Sequence, residues 1–156
     1  MINSMVDLIE YSKKYDSLSE AIIHYEMNTN GESYEFVWDT MASQLEVMRK
    51  SVELGIKGAA SSTGLSGGDA VLMDTYLKNN HPLTGSLIAK ASRNAIATNE
   101  INASMGIICA TPTAGSAGVL PGVLMALVEE RQLSIEEQIR FLFVAGGIGY
   151  VIANNA

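Results

Sequence analysis

Apolar residues recur at helical spacing along most of this 156-residue chain. Leu18, Ala21, Ile22 and Tyr25 fit one helix face, behind Ser17 or Ser19 as an N-cap. Tyr34, Trp38, Met41, Leu45, Met48 and Val52 then follow at alternating steps of four and three. That spacing predicts a long helix over about 32–55 with one apolar seam, stopped by Gly55 and Gly58. Asp69 is placed to cap a further helix through Leu77, which Asn79-Asn-His-Pro82 breaks. A helix over about 84–105 carries Ala89, Ala91, Ala95, Ala97 and Ala103, small residues that permit close packing. Another is expected over 119–131. Ser134-Ile-Glu-Glu137 reads as a capping box that opens a last helix through Phe141, Phe143 and Val144. Gly146, Gly147 and Gly149 mark close packing along it, and Ile107-Ile-Cys109 is the only candidate strand. The expectation is an all-α domain with little or no strand and no internal repeat.

Between these helices lie three polar segments rich in small residues. In Ser61-Ser-Thr-Gly-Leu-Ser-Gly-Gly-Asp-Ala70, Gly64, Gly67 and Gly68 can take positive φ, and Ser62, Thr63 and Ser66 add donors. Such a loop suits a carboxylate or phosphate, especially if the next helix aims its N-terminus nearby, although Asp69 opposes an anion there. It also suits a plain turn. Thr98, Asn99 and Asn102 can share a helix face, either to hold a ligand or to tie down a buried loop. In the stretch Cys109-Ala-Thr-Pro-Thr-Ala-Gly-Ser-Ala-Gly118, Pro112 disfavours helix at Thr111, and Gly115 and Gly118 let the chain turn into the next helix.

Composition narrows the partners. Apolar residues make up 47% and charged residues only 17%, so some surface is expected to be covered by another chain or segment. The net charge is −7 with no basic run, which argues against nucleic acid and anionic membrane. One cysteine, Cys109, excludes an internal disulfide and fits a reducing, cytoplasmic compartment. The N-terminus lacks the basic and apolar regions of a signal peptide. Residues 101–128 carry no charge, but Asn102, Pro112, Pro121 and several glycines make them an irregular interior rather than a membrane span. The apolar tail 141–153 is short for a span.

Familiar catalytic patterns add little. Neither a Walker loop nor a dinucleotide fingerprint occurs. His24 and His81 read as core or surface residues, Cys109 as a small buried side chain, a nucleophile or a weak metal-ligand candidate, and Glu129-Glu-Arg131 and Glu136-Glu137 as solvated helix charges. Lys57 and Lys90 lie in no motif for pyridoxal phosphate.

In order along the chain stand Thr63-Gly-Leu-Ser-Gly-Gly-Asp-Ala70, Ala97-Thr-Asn-Glu-Ile-Asn-Ala-Ser-Met-Gly106, Cys109-Ala-Thr-Pro-Thr-Ala-Gly-Ser-Ala-Gly-Val-Leu-Pro-Gly122, Ile139-Arg-Phe-Leu-Phe-Val-Ala-Gly-Gly147 and Val151-Ile-Ala-Asn-Asn-Ala156. This series resembles the N-terminal half of the α chain of the iron–sulfur-dependent L-serine dehydratases (L-serine ammonia-lyases), over residues 1–156. The resemblance implies a helical catalytic domain working with a 4Fe–4S cluster held by three cysteines, without pyridoxal phosphate. An open iron would act as a Lewis acid on the serine hydroxyl, a base would remove the Cα proton, and the aminoacrylate formed would hydrolyse to pyruvate and ammonia. That places the chain in serine catabolism and gluconeogenesis. The implied partners are L-serine, a β chain and a C-terminal half carrying the cluster cysteines, which this sequence stops short of.

Carried onto this sequence, the implied serine pocket has three sets of residues. Thr63, Gly64, Ser66, Gly67 and Gly68 would meet the carboxylate, Asn99 and Asn102 the amino or hydroxyl end, and Thr111, Thr113, Ala114, Gly115 and Ser116 the wall beside the cluster. No residue fits the base. The chain alone is expected to carry no cluster and no activity, with Phe141, Phe143, Ile148 and Val151 exposed as a self-associating apolar patch. Two other readings stay open: a cysteine-desulfidase-like relative, and a non-catalytic helical interaction domain from a truncated gene.

Overall fold

The computed structural model describes residues 2–111 and 115–155. Among the described residues there are seven α-helices and no strand: α1 (Met5–Ser12), α2 (Leu18–Asn30), α3 (Tyr34–Lys57), α4 (Asp69–Asn79), α5 (Ser86–Ala103), α6 (Val119–Arg131) and α7 (Ile135–Ala153). The protein is all-α. The candidate strand at 107–109 is irregular backbone, and no other segment among the described residues is a strand that could pair with it. The chain divides into two compact units, one of residues 1–45 with 135–156 and one of residues 46–134.

The first unit contains α1, α2, the N-terminal part of α3, and α7. Helix α1 was not marked by apolar periodicity but by its cap. The Ser4 hydroxyl accepts from the Asp7 amide, and the Asp7 carboxylate accepts from the Ser4 amide. Ser17 caps α2 in the same way through the Glu20 amide, and α2 ends at Gly31 in the left-handed region. Leu8, Ile22, Ile23, Ile139, Leu142, Phe143 and Val151 form the core. Phe143 and Val151 are thus buried and Phe141 and Ile148 half-buried, so the expected apolar patch does not exist; α2 packs against that face of α7. A side chain at Gly147 would crowd Ile22, so the packing role expected of the glycine cluster holds there, whereas Gly146 and Gly149 face open space. Arg140 bonds Glu20 and Glu136 and lies over the Trp38 ring.

The second unit contains the rest of α3 with α4, α5 and α6, and α5 is its centre. Its small residues admit the backbone of its neighbours. A Cβ at Gly122 would stand 2.7 Å from the Ala91 carbonyl oxygen. One at Gly118 would overlap the Ala95 carbonyl, and one at Gly55 the backbone of Ala97. Gly55 therefore does not stop α3. It lets α3 run on against α5 to Lys57, and Gly58, at φ +113°, ends the helix. On the face of α5 toward α4 and α6, buried Arg93 bonds Asp74 of α4, Glu129 of α6 and the side chain of Asn94. Lys90 bonds Glu130 at 2.8 Å. Glu129 and Glu130 are thus clamps on α5 rather than merely solvated charges. No helix among the described residues is long and apolar enough to cross a membrane.

Candidate functional site

The loop 61–68 owes its shape to its own small polar groups. Ser61 donates its amide to the Ser66 carbonyl at 2.9 Å, and its hydroxyl accepts from the Ser66 amide at 3.3 Å. Gly64 donates back to the Ser61 carbonyl, and the Ser61 and Thr63 hydroxyls lie 3.1 Å apart. Gly64, Gly67 and Gly68 all take positive φ, as their sequence suggested. Gly67 is held twice over, because a Cβ there would overlap the carbonyl oxygen of Ala59 on the incoming stem. Thr63, Gly64, Ser66 and Gly67 are exposed and Gly68 is half-buried. The letters Gly64-Leu-Ser66-Gly-Gly68 also spell a nucleophile-elbow pattern, but that elbow needs an entering strand and this loop runs from helix to helix.

The exit of the loop departs from expectation. Asp69 does not cap α4; it is the first residue of the helix, and the cap position is Gly68, which makes no side-chain bond. The cap comes from α5. The Glu100 carboxylate reaches the open end of α4, where Oε1 accepts from the Asp69 amide at 2.6 Å and the Ala70 amide at 3.3 Å. A carboxylate on the positive end of a helix is favourable. The helix terminus expected for a ligand anion is therefore filled by the protein's own. Glu100 is only 6% exposed, and its Oε2 is enclosed without a donor among the described residues. An unsatisfied buried acceptor costs about 1–3 kcal/mol.

The same end of α5 carries the other polar segment. Asn99 is exposed and Asn102 half-buried, while Thr98 turns inward, its hydroxyl donating to the Asn94 carbonyl and lying 3.4 Å from that of Ser51. Thr98 therefore belongs to the core. Gly118, at the start of α6, lies so close to α5 that a Cβ there would stand 3.1 Å from Asn99 Oδ1. Just before it, Thr111 and Ser116 exchange crossed bonds. Ser116 Oγ donates to the Thr111 carbonyl at 2.7 Å, and Thr111 Oγ1 donates to the Ser116 carbonyl at 3.2 Å. Gly115 is exposed, and Thr113 and Ala114 lie outside the described residues. The exit of the 61–68 loop thus reaches α5 at Glu100, and the start of α6, just after the 109–118 stretch, reaches it at Ala95 and Asn99.

Cys109 is half-buried, and burial pushes its thiol above its ordinary pKa, the opposite of what a metal ligand or nucleophile needs. No group of three or more metal-ligating side chains forms among the described residues. His24 stacks on Tyr15 in the first unit, at a centroid distance of 4.8 Å, and His81 is exposed.

Residues 13–156 match the family model described as serine dehydratase alpha chain. The chain belongs to the serine dehydratase α-chain family. A probable L-serine dehydratase α chain of Bacillus subtilis (strain 168) is 46% identical over 157 aligned positions, covering 100% of this chain and 52% of the relative. An L-serine dehydratase α chain of Peptoniphilus asaccharolyticus is 26% identical, covering 100% of this chain and 54% of its own length. A probable L-serine dehydratase α chain of Latilactobacillus sakei is 60% identical over 70 residues, 45% of this chain and 34% of the relative. This serine dehydratase α-chain sequence thus spans about half the length of the first of these relatives. No solved structure matches it.

Glu100 is the site residue that sequence reading missed in this family member. Its signal was present: Arg93, Ala97 and Glu100 follow steps of four and three, so two charges share a buried, alanine-bearing face.

Proposed function

We propose that this chain supplies the serine-binding part of an L-serine dehydratase, a carbon–nitrogen lyase that converts L-serine to pyruvate and ammonia. The observation that carries the reading is the Glu100 cap, which ties the exit of the 61–68 loop to the end of α5 that bears Asn99 and Asn102, in a chain of the serine dehydratase α-chain family. Each segment has a task there. With the α4 terminus taken by Glu100, the substrate carboxylate falls to the loop before it. The Gly67 and Gly68 amides make no backbone bond among the described residues, and the same loop carries the hydroxyls of exposed Thr63 and Ser66. Rigid donors of this kind hold a carboxylate without reorganising. Asn99 and Asn102 orient the amino or hydroxyl end. Thr111 and Ser116, with Gly115 between them, form the wall.

The iron–sulfur cluster does not fit this chain by itself. Three thiolates are needed, the sequence has one cysteine, and burial pushes that thiol above its ordinary pKa. Within this reading the cluster ligands come from the rest of a longer α chain, and a β chain completes the enzyme; the work of residues 1–156 is to bind and orient. Elimination from serine then depends on groups this chain does not carry.

Pyruvate release from L-serine is the test. The full-length α chain assembled with its β chain is expected to release pyruvate and ammonia in equal amounts, and residues 1–156 alone to release none. Failure of the assembled enzyme to act on L-serine would end the proposal.

A further inference from the structure

We propose that Glu100 is a positioning residue that fixes the geometry of the 61–68 loop for substrate binding; this rests on the reading of that loop as the carboxylate receptor. Helices α1 and α2 are capped locally by Ser4 and Ser17. At α4 the cap position is Gly68, and the task passes to a side chain from another helix, 31 residues beyond the Asp69 amide it holds. Local capping would satisfy the same amides. Capping from α5 also ties the end of the loop to the helix that carries Asn99 and Asn102.

The loop is consequently clamped at both stems. Gly67 lies against Ala59 on one side, and the Asp69 and Ala70 amides are held by Glu100 on the other. Gly67 at the first point, at φ +120°, and Gly68 between the two, at φ +98°, have backbone freedom that the clamp removes. The charge has a second effect. By filling the α4 terminus it leaves a ligand carboxylate no place on the helix end and directs it to the loop amides. The enclosed Oε2, without a donor among the described residues, fits a carboxylate kept for its placement rather than for complete hydrogen bonding.

The experiment compares Glu100→Ala, Glu100→Gln and Glu100→Asp in the assembled enzyme, by serine kinetics and by backbone hydrogen exchange over residues 66–72. Glu100→Gln keeps an acceptor oxygen in place, whereas Glu100→Ala removes it. For Glu100→Ala a rise in KM of about tenfold is expected, with kcat within about threefold of wild type. Amide exchange at Asp69 and Ala70 should quicken by a similar factor. Glu100→Gln should return both readouts to within about threefold of wild type. If Glu100→Ala does not fold, Glu100→Asp, which withdraws the carboxylate by one methylene, should show the same KM rise.

Unchanged exchange in Glu100→Ala, or faster exchange with unchanged KM, would overturn the proposal. So would a Glu100→Gln enzyme with wild-type KM and a collapsed kcat, because the carboxylate would then act in the chemistry itself. If wild type is inert toward L-serine, the serine reading fails, while the exchange data still decide whether Glu100 holds the loop.

Discussion

Gly64 and Gly67 look alike in the sequence and differ in what surrounds them. Both take positive φ, but a Cβ at Gly64 meets nothing within 4 Å and one at Gly67 overlaps the Ala59 carbonyl oxygen. Gly64→Ala therefore carries only the left-handed penalty, about 1 kcal/mol. Gly67→Ala must also move one stem of the loop. In the assembled enzyme, Gly67→Ala is expected to raise the serine KM at least about tenfold, and Gly64→Ala to change it by less than about threefold. Equal kinetics for the two would remove the loop from the site. The glycines and hydroxyls of this loop were legible as a ligand-binding candidate because positive φ is a property of residue type. Glu100 was harder to read, because its partners lie 30 and 31 residues away and its shared face with Arg93 and Ala97 says that it is buried, not what it holds.

At the scale of elements, α5 acts as a spine whose neighbours are fixed by two devices, glycine-to-alanine contact and buried charge. Asp74 illustrates the second. Burial works against its charged form, but the hydrogen bonds from Lys78 and Arg93 outweigh that and hold its carboxyl below the usual range. A carboxyl lowered in the folded state stabilises the fold fully above its unfolded value near 3.8, and the contribution is lost as pH falls through the folded value. Asp74→Asn should thus unfold at lower denaturant concentration than wild type at neutral pH. The gap should narrow as pH drops below about 4. A gap that stays constant into strong acid would show that the charge of Asp74 does not link α4 to α5. The helices themselves were readable: α6 begins and ends where its pattern does, and α2 starts behind Ser17 as expected. Helix α1 escaped notice because it is short and its clearest sign is polar, the Ser4–Asp7 cap.

For the molecule as a whole, the proposed reading makes residues 1–156 a serine-binding part of a longer α chain that holds the cluster ligands elsewhere. Anaerobic addition of iron and sulfide to purified residues 1–156 is expected to leave no stable cluster absorption, since Cys109 is a single, half-buried thiol. A stoichiometric cluster on this chain would contradict the proposed division of labour. The sequence by itself determined the helical class, most helix limits and the three polar segments as candidates. Each of these follows from apolar periodicity, capping residues and turn chemistry, which act within a few residues. Tertiary structure decided which of those segments meet, and how closely. The Gly67–Ala59 contact, the Glu100 cap and the Asp74–Arg93–Glu129 clamp join groups from different elements, and their strength depends on burial and distance that only the packed chain creates.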